Sequence, residues 1–303
     1  MIETRELSKQ FGDFTAVRQV SLRVNEGELL ALLGPNGAGK TTTVRMLAAI
    51  LRPTSGWARV AGYDVVSQAQ AVRHAVGLLT EFHGLYLRMK ALEYLDFFGE
   101  LQGLSRAQRR ERSELLLKRF ELWDDREKRL GEYSKGMRQK LALIRSMIHD
   151  PQVLFLDEPT SAMDPHSAKL VRDAIADLKR DGRTVVMCTH NLAEAELLAD
   201  RIAIIRRGEI IALGTPAELK SRLLGAPVLE IRFAEPLDGL LPVLEELVQV
   251  EQVGPDWVRY RSPDAQAANP RLVSRLAQAG ASIVTLSELP RSLEEVYLRI
   301  VSE

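Results

Sequence analysis

The sequence predicts an α/β chain built around a phosphate-binding loop, and three apolar runs carry that prediction. Leu29 to Leu33 opens directly on Gly34-Pro35-Asn36-Gly37-Ala38-Gly39-Lys40-Thr41. Val153 to Leu156 ends in Asp157-Glu158, and Thr184 to Cys188 is followed by His190. A continuous apolar run of this length, without alternation, reads as a strand buried on both faces.

The octet has the form G-x-x-x-x-G-K-[ST], which works only as a strand-loop-helix unit, and a helix-compatible stretch follows from Thr42 to Leu51. Glycines let the backbone wrap a polyphosphate where a side chain would collide. The loop N–H groups and the positive end of the helix then face the anion. Lys40 is expected to reach the β- and γ-phosphates and Thr41 to complete a Mg²⁺ shell with its hydroxyl. Gly34, Pro35, Asn36, Gly37, Ala38, Gly39, Lys40, Thr41 and Thr42 are therefore the candidate nucleotide-binding residues.

At the end of the second run, Asp157 is placed to hold the magnesium directly or through water. Glu158, one residue further on, is placed to orient the attacking water and take its proton. By itself the pair also fits an acidic helix cap, since Pro159-Thr160 follows. The phosphate loop upstream is what favours the catalytic reading.

Between these lies Tyr133-Ser134-Lys135-Gly136-Met137-Arg138-Gln139-Lys140, running into the helical Leu141 to Arg145. Ser134 and Gly136 at a helix start make a second anion site, from the hydroxyl, the glycine N–H and the helix dipole. One protomer that already holds phosphate at its own loop has no use for it. A head-to-tail dimer does, because each Ser134 would close on the γ-phosphate held by the other protomer.

In this order the landmarks resemble those of ATP-binding-cassette (ABC) ATPases, from Phe11 to about Leu213. The resemblance implies ATP and Mg²⁺ as cofactors. It also implies a P-loop ABC ATPase fold, with a mixed β-sheet core, a helical subdomain near 85–150 and an antiparallel β subdomain. It makes Phe11 the aromatic that stacks on adenine, although the residue alone also reads as core on an edge strand. Ser134 to Met137 matches the signature loop, and Ser161-Ala162-Met163-Asp164 the loop that passes between protomers. His190 matches the switch histidine at the γ-phosphate, so Lys40, Glu158 and His190 form the expected catalytic set. The expected metal set is Thr41, Glu81 and Asp157. Glu81 stands where the family usually has Gln and adds negative charge near the γ-phosphate. Tyr133, Lys135 and Met137 replace the common Leu, Gly and Gln, and Met163 replaces Leu with little change in volume.

Composition fits this reading. A chain of 303 residues with 46% hydrophobic and 27% charged residues has ample material for more than one core. Lys+Arg and Asp+Glu both total 41, so no overall field favours nucleic acid. The cluster Arg106, Arg109, Arg110 and Arg112 is interleaved with Glu111, Glu114 and Glu121 and lacks stacking aromatics, which marks a solvated helical face. A single cysteine, Cys188, excludes a disulfide framework and suits a reducing compartment. The longest charge-free run, Leu276 to Ser287, is 12 residues, against the roughly 20 a spanning helix needs. No signal peptide is expected, and the protein is placed at the cytoplasmic face of the cell membrane as a peripheral subunit.

Further elements follow in order. Strands with turns at Gly12 and Gly27 are expected up to about residue 27, then a strand from Trp57 to Val66 with a turn at Gly62. Helices are expected from Arg88 to Arg129, with Ser105 capping the one that starts at Arg106. The family resemblance puts a groove for a short helix of a membrane partner near Glu81 to Phe98. Phe82, His83, Leu85, Tyr86 and Met89 fit that groove and fit local core equally. Domain 1–220 is expected to bind nucleotide, and 221–303 to form a small accessory α+β domain. Its elements read as strand 228–233, helix 240–248, strand 257–261, helix 270–279, strand 282–286 and helix 293–301. With 8 Lys/Arg against 12 Asp/Glu, this tail is no basic binding module. It is similar to appendages of ABC ATPases in drug- or ion-export systems.

The expected function is the ATP-hydrolysing subunit of an ABC exporter, which dimerises on ATP and drives separately encoded transmembrane permease subunits. The alternative is a soluble or regulatory ABC ATPase with a non-transport partner. The soluble members usually carry two cassettes or a long coiled-coil insert. Here the phosphate loop occurs once, and the stretch from Lys40 to Asp157 leaves no room for such an insert.

Overall fold

A computed structural model describes residues 1–80, 84–161, 163–237, 239–262 and 264–302, the last five as backbone. The chain forms two compact units, Met1–Pro216 and Ala217–Glu303. The strands of the first are β1 (Ile2–Phe11), β2 (Phe14–Val24), β3 (Leu29–Leu33), β4 (Ser55–Val60), β5 (Tyr63–Asp64), β6 (Val76–Leu79), β7 (Val153–Asp157), β8 (Thr184–Thr189), β9 (Arg201–Arg206) and β10 (Glu209–Gly214).

Six of them make a sheet in the order β10-β9-β3-β8-β7-β6. All its neighbours are parallel except β10 and β9. Every residue of β3, β7 and β8 is buried, as their unbroken apolar character requires of central strands covered on both faces. A second, antiparallel sheet runs β2-β1-β4-β5. The two share one core, in which Leu7, Val17, Val20 and Val60 join Leu30, Leu32, Phe155 and Val186.

The order of the central sheet decides where chemistry can occur. β3, β8 and β7 are adjacent and parallel, with Leu33 opposite Thr189 and Asp157 opposite Cys188. Their carboxyl ends therefore lie side by side, the usual ligand position in sheets of this type.

Helices Ala91–Leu101, Arg106–Arg119 and Lys135–Met147 pack on one another and bury Tyr94, Leu95, Leu116, Leu117 and Ile144. Ser105 caps the second as expected, accepting a bond from Gln108 N while Gln108 Oε1 accepts one from Ser105 N. Arg109, Arg112 and Arg119 of that helix are tied to carboxylates outside it. Arg109 reaches Asp96 at 2.6 Å and Arg112 reaches Asp150 at 3.1 Å.

One local reading differs from the structure. The helix after the phosphate loop is Lys40–Leu47 and stops before Leu51, because Ala49 turns to a positive φ of 53°. The turn expected at Gly62 is present and separates β4 from β5, with Ala61 and Gly62 at φ of 51° and 85°.

In the second unit β11 (Val228–Phe233), β12 (Gln249–Val253), β13 (Trp257–Arg261) and β14 (Ile283–Glu288) form an antiparallel sheet in the order β12-β13-β11-β14. With helices Leu241–Glu245 and Ala265–Gln278 between strands, this is a split β-α-β arrangement. Leu229, Ile231, Val258 and Tyr260 meet Leu244, Leu272 and Leu276 in its core. The last helix is Leu293–Ser302. Strand β12 escaped the sequence reading because it is an edge strand with mostly exposed residues and no apolar alternation. The helix expected from Pro270 starts at Ala265, where the Asp264 carboxylate accepts a bond from Ala267 N at 3.0 Å. That cap outweighs the preference of proline for a first turn.

Candidate active site

The phosphate loop joins β3 to helix Lys40–Leu47 and is shaped by two glycines. Gly39 takes φ 106°, and a side chain there would stand 2.6 Å from the Ala16 carbonyl. At Gly34 a Cβ would lie 2.3 Å from the Ile205 carbonyl. The loop can thus lie against its neighbours only without side chains at these points.

Lys40 is buried to 6% exposure. Its ammonium donates to the Gly34 carbonyl at 2.6 Å and the Pro35 carbonyl at 3.1 Å. The curl of the loop holds the charge at the mouth of the helix. Thr41 donates its hydroxyl to Asp157 Oδ2 at 2.7 Å, linking the loop to the end of β7.

Glu158 follows Asp157 with φ 52°, the left-handed region, which costs a residue with a Cβ roughly 1–2 kcal/mol. Its N–H donates to the Cys188 carbonyl of β8 at 2.9 Å. Its side chain, 13% exposed, places Oε1 2.8 Å from Nδ1 of His190. Behind this pair, buried Glu194 accepts bonds from the hydroxyls of Thr160 at 2.7 Å and Thr189 at 3.1 Å. Burial pushes the Glu194 carboxyl up, and the two hydroxyls pull the other way. Burial also raises the Cys188 thiol well above its ordinary value, so Cys188 is core.

A cleft of about 490 Å³ opens over these strand ends. Of the sequence candidates, Pro35, Asn36, Gly37, Ala38, Gly39, Lys40, Thr41, Thr42, Asp157, Glu158 and His190 line it. Gly34 stands behind the loop as an acceptor for Lys40. Phe11 is not in the lining. It is exposed, with the Lys9 ammonium 5.1 Å from its ring centre, and pairs with Phe14, which does line the cleft. Ser134 and Gly136 lie outside the cleft too. Ser134 is exposed and accepts a bond from Met137 N at 3.2 Å as the cap of Lys135–Met147.

Glu81, Phe82, His83 and Ala162, all named from the sequence, lie outside the described residues. Of the expected groove, Leu85 and Met89 are half-buried and Tyr86 is exposed. The Tyr86 ring lies 6.1 Å from Phe97 and 6.4 Å from Phe98. Leu87 and Leu101 are also exposed.

Sequence reasoning gave no role to Phe14, Ala16, Gln139 or Glu194. Gln139 is buried, and its Nε2 donates to the carbonyls of Glu158 at 3.1 Å and Pro159 at 3.0 Å. A polar residue among the apolar positions of helix Lys135–Met147 was the available signal.

The cleft offers a buried ammonium, a helix N-terminus, a hydroxyl–carboxylate pair and a carboxylate paired with an imidazole. These groups suit a polyphosphate: the first two can hold anionic oxygens, the third can hold a divalent cation, and the last can orient and deprotonate water.

Known proteins agree with this chemistry. Residues 17–161 match the ABC transporter family, and residues 214–301 match the C-terminal domain of DrrA1-3-like ATP-binding proteins. The daunorubicin resistance ATP-binding protein DrrA3 of Streptomyces coeruleorubidus is 38% identical over 299 residues, 97% of this chain and 94% of its own. The daunorubicin/doxorubicin resistance ATP-binding protein DrrA of Streptomyces peucetius is 39% identical over 306 residues, 99% of this chain and 92% of its own. Among solved structures, a dimeric bacterial ABC transporter cassette is similar with a TM-score of 0.67 and 25% identity, over 71% of this chain and 98% of that one.

Proposed function

This chain belongs to the ABC transporter family as one of its ATP-binding, ATP-hydrolysing proteins, and on that premise we propose that it powers an exporter as a homodimer bound to separate transmembrane permease subunits. The observation that carries the proposal is the convergence of Lys40, Thr41, Asp157, Glu158 and His190 at the ends of three adjacent parallel strands. The names of the drug-resistance relatives support export as the direction.

In this reading the loop N–H groups and Lys40 bind the β- and γ-phosphates of ATP. Glu158 orients the attacking water and takes its proton, and His190 holds the Glu158 carboxylate while facing the γ-phosphate. Thr41 and Asp157 are neighbouring hard-oxygen donors beside the phosphate loop, a set that fits Mg²⁺. When bound, the ion neutralises charge on the β- and γ-phosphates. Phe11 and Phe14, paired across the β1–β2 hairpin, offer rings at the cleft's edge for the adenine.

Ser134 and Gly136 serve the site of the partner protomer, since they stand outside the cleft of their own. That a similar cassette is solved as a dimer supports pairing of two protomers. Permease subunits dock, in this reading, at the cytoplasmic face of the membrane through the exposed apolar residues Tyr86, Leu87, Phe97 and Leu101, of which Tyr86 and Phe97 have rings 6.1 Å apart. No described helix is long and apolar enough to cross a bilayer itself.

The deciding experiment is co-purification from gently solubilised native membranes. A permease should be retained with the wild type and lost with Tyr86→Asp/Phe97→Asp. Recovery of the wild type with no membrane protein, while its ATPase activity is intact, would favour a regulatory ATPase instead.

A further inference from the structure

We infer that Gln139 is a positioning residue for Glu158, joining the signature helix of a protomer to the water-activating carboxylate of the same protomer. The inference rests on the roles proposed above for Glu158, Ser134 and Gly136. It starts from the backbone. Glu158 has a left-handed φ of 52° although it carries a full side chain. Such a conformation persists only where the surroundings over-determine it.

The bonds around this turn identify what does so. Glu158 N–H donates to the Cys188 carbonyl, and Ser161 N–H reaches back to the Glu158 carbonyl at 3.2 Å. Among the described residues, the remaining hold on these carbonyls comes from one side chain distant in sequence. Gln139 Nε2 donates to the Glu158 carbonyl at 3.1 Å and to the Pro159 carbonyl at 3.0 Å. A primary amide has two N–H bonds, so one group can pin both carbonyls at once. Gln139 is 4% exposed, so water does not compete for these bonds. With both carbonyls fixed, the Glu158 side chain leaves the turn in one direction, toward His190 at 2.8 Å.

The location of Gln139 gives the clamp a second consequence. It sits on helix Lys135–Met147, whose cap is Ser134. Five residues of α-helix span only about 7.5 Å and move as a rigid rod. A phosphate engaged by Ser134 and Gly136 from the partner protomer thus loads the same helix that holds Glu158. Arrival of ATP in one composite site is thereby conveyed to the water-activating carboxylate of the other.

The alternative is that Gln139 merely fills space, and a double-mutant comparison separates the two. Gln139→Met keeps the side-chain length and donates nothing. Gln139→Glu keeps the shape and turns an acceptor toward two carbonyls. Each would be measured alone and with Glu158→Gln, by steady-state and single-turnover hydrolysis, affinity for a non-hydrolysable ATP analogue and thermal melting. A clamp predicts that kcat falls at least about tenfold in either single variant, while KM and analogue affinity stay within about twofold. In the Glu158→Gln background the same changes should cost less than about twofold more, because they act through a carboxylate already lost.

Wild-type kcat in a folded Gln139→Met protein would overturn the inference. So would an equal loss in both backgrounds, or a loss shared by kcat and analogue affinity. If Gln139→Met melts below the assay temperature, Gln139→Glu is read by the same criteria. Should Glu158→Gln itself hydrolyse ATP normally, it is the role of Glu158 that fails, an outcome distinct from failure of the clamp.

Discussion

Glu158 Oε1 lies 2.8 Å from His190 Nδ1, although the two residues leave different strands, β7 and β8, and stand 32 apart in sequence. Their exposure differs sharply: the Glu158 side chain is 13% accessible and that of His190 is 64%. The carboxylate is set into the wall, and the imidazole faces the opening. This suits a fixed base with a partner that can reach a bound phosphate. Because Asp157 is a separate group, bonded to Thr41, loss of the proposed base need not disturb the proposed metal pair.

Glu158→Gln should therefore lower kcat by at least about a hundredfold, within the usual range for a general base, while ATP still binds. Gel filtration with ATP and Mg²⁺ should show a stable dimer that the wild type forms only in passing. Hydrolysis at the wild-type rate would remove Glu158 from its role.

Lys40→Ala should behave differently. The Lys40 ammonium is buried against the Gly34 and Pro35 carbonyls and is the only described side-chain cation lining the cleft apart from His190 when protonated. Removing it takes away charge that faces both bound and developing phosphate charge. ATP affinity and turnover should fall together, with kcat/KM down by about a hundredfold or more, near 2.7 kcal/mol. Isothermal titration and steady-state kinetics check the two losses separately. Retained affinity with lost turnover would mean that Lys40 meets only the transition state.

Much of the first unit was legible because its signals are local. The runs Leu29–Leu33, Val153–Leu156 and Thr184–Cys188 are strands buried on both faces, and such strands need no pairing information to be recognised. Their order was not legible. That Thr184–Thr189 inserts between Leu29–Leu33 and Val153–Asp157 depends on packing over more than 150 residues. The same holds for Gln139, whose partners lie 19 and 20 residues away, and for Glu194, one of whose two hydroxyl partners lies 34 residues away. A Gln or Glu on an amphipathic helix gives no sign in sequence that its partner is a backbone turn or a pair of hydroxyls. In the second unit β12 was missed because an exposed edge strand buries no face and leaves no apolar period.

His149 gives a prediction about stability and pH. Its Nε2 lies 3.1 Å from the Val76 carbonyl, while Nδ1 is buried and without a hydrogen-bond partner among the described residues. Burial lowers its pKa from the ordinary value near 6.5, helped by His74 and Arg112, and opposed by the Val76 bond and Asp150. The folded state thus disfavours the protonated ring relative to the unfolded chain. The corresponding stability is present above about pH 6.5 and is lost as pH falls from there through the lower folded value. Thermal melting of the wild type should drop over that window, and His149→Gln should flatten the drop. An unchanged pH profile in His149→Gln would assign the drop to other groups.

The dimer is tested by mixing protomers. Ser134 caps its helix from an exposed position, and neither it nor Gly136 lines the cleft of its own protomer. Ser134→Arg would block this helix N-terminus with bulk and charge, whereas Lys40→Ala disables the phosphate loop. Each should be inactive as a homodimer. A mixed dimer carries both lesions in one composite site and leaves the other intact, with a wild-type loop facing a wild-type Ser134. Partial ATPase activity should return on mixing, in proportion to the heterodimer present. Cysteines placed beside Ser134 in one protomer and Asn36 in the other should crosslink only with ATP. In the proposed arrangement a helix of the partner completes the ATP site of each protomer, so dilution below the association range should abolish turnover in the wild type. A Ser134→Arg protein that hydrolyses ATP normally as a dilute monomer would show that Ser134 has no part in a site shared between protomers.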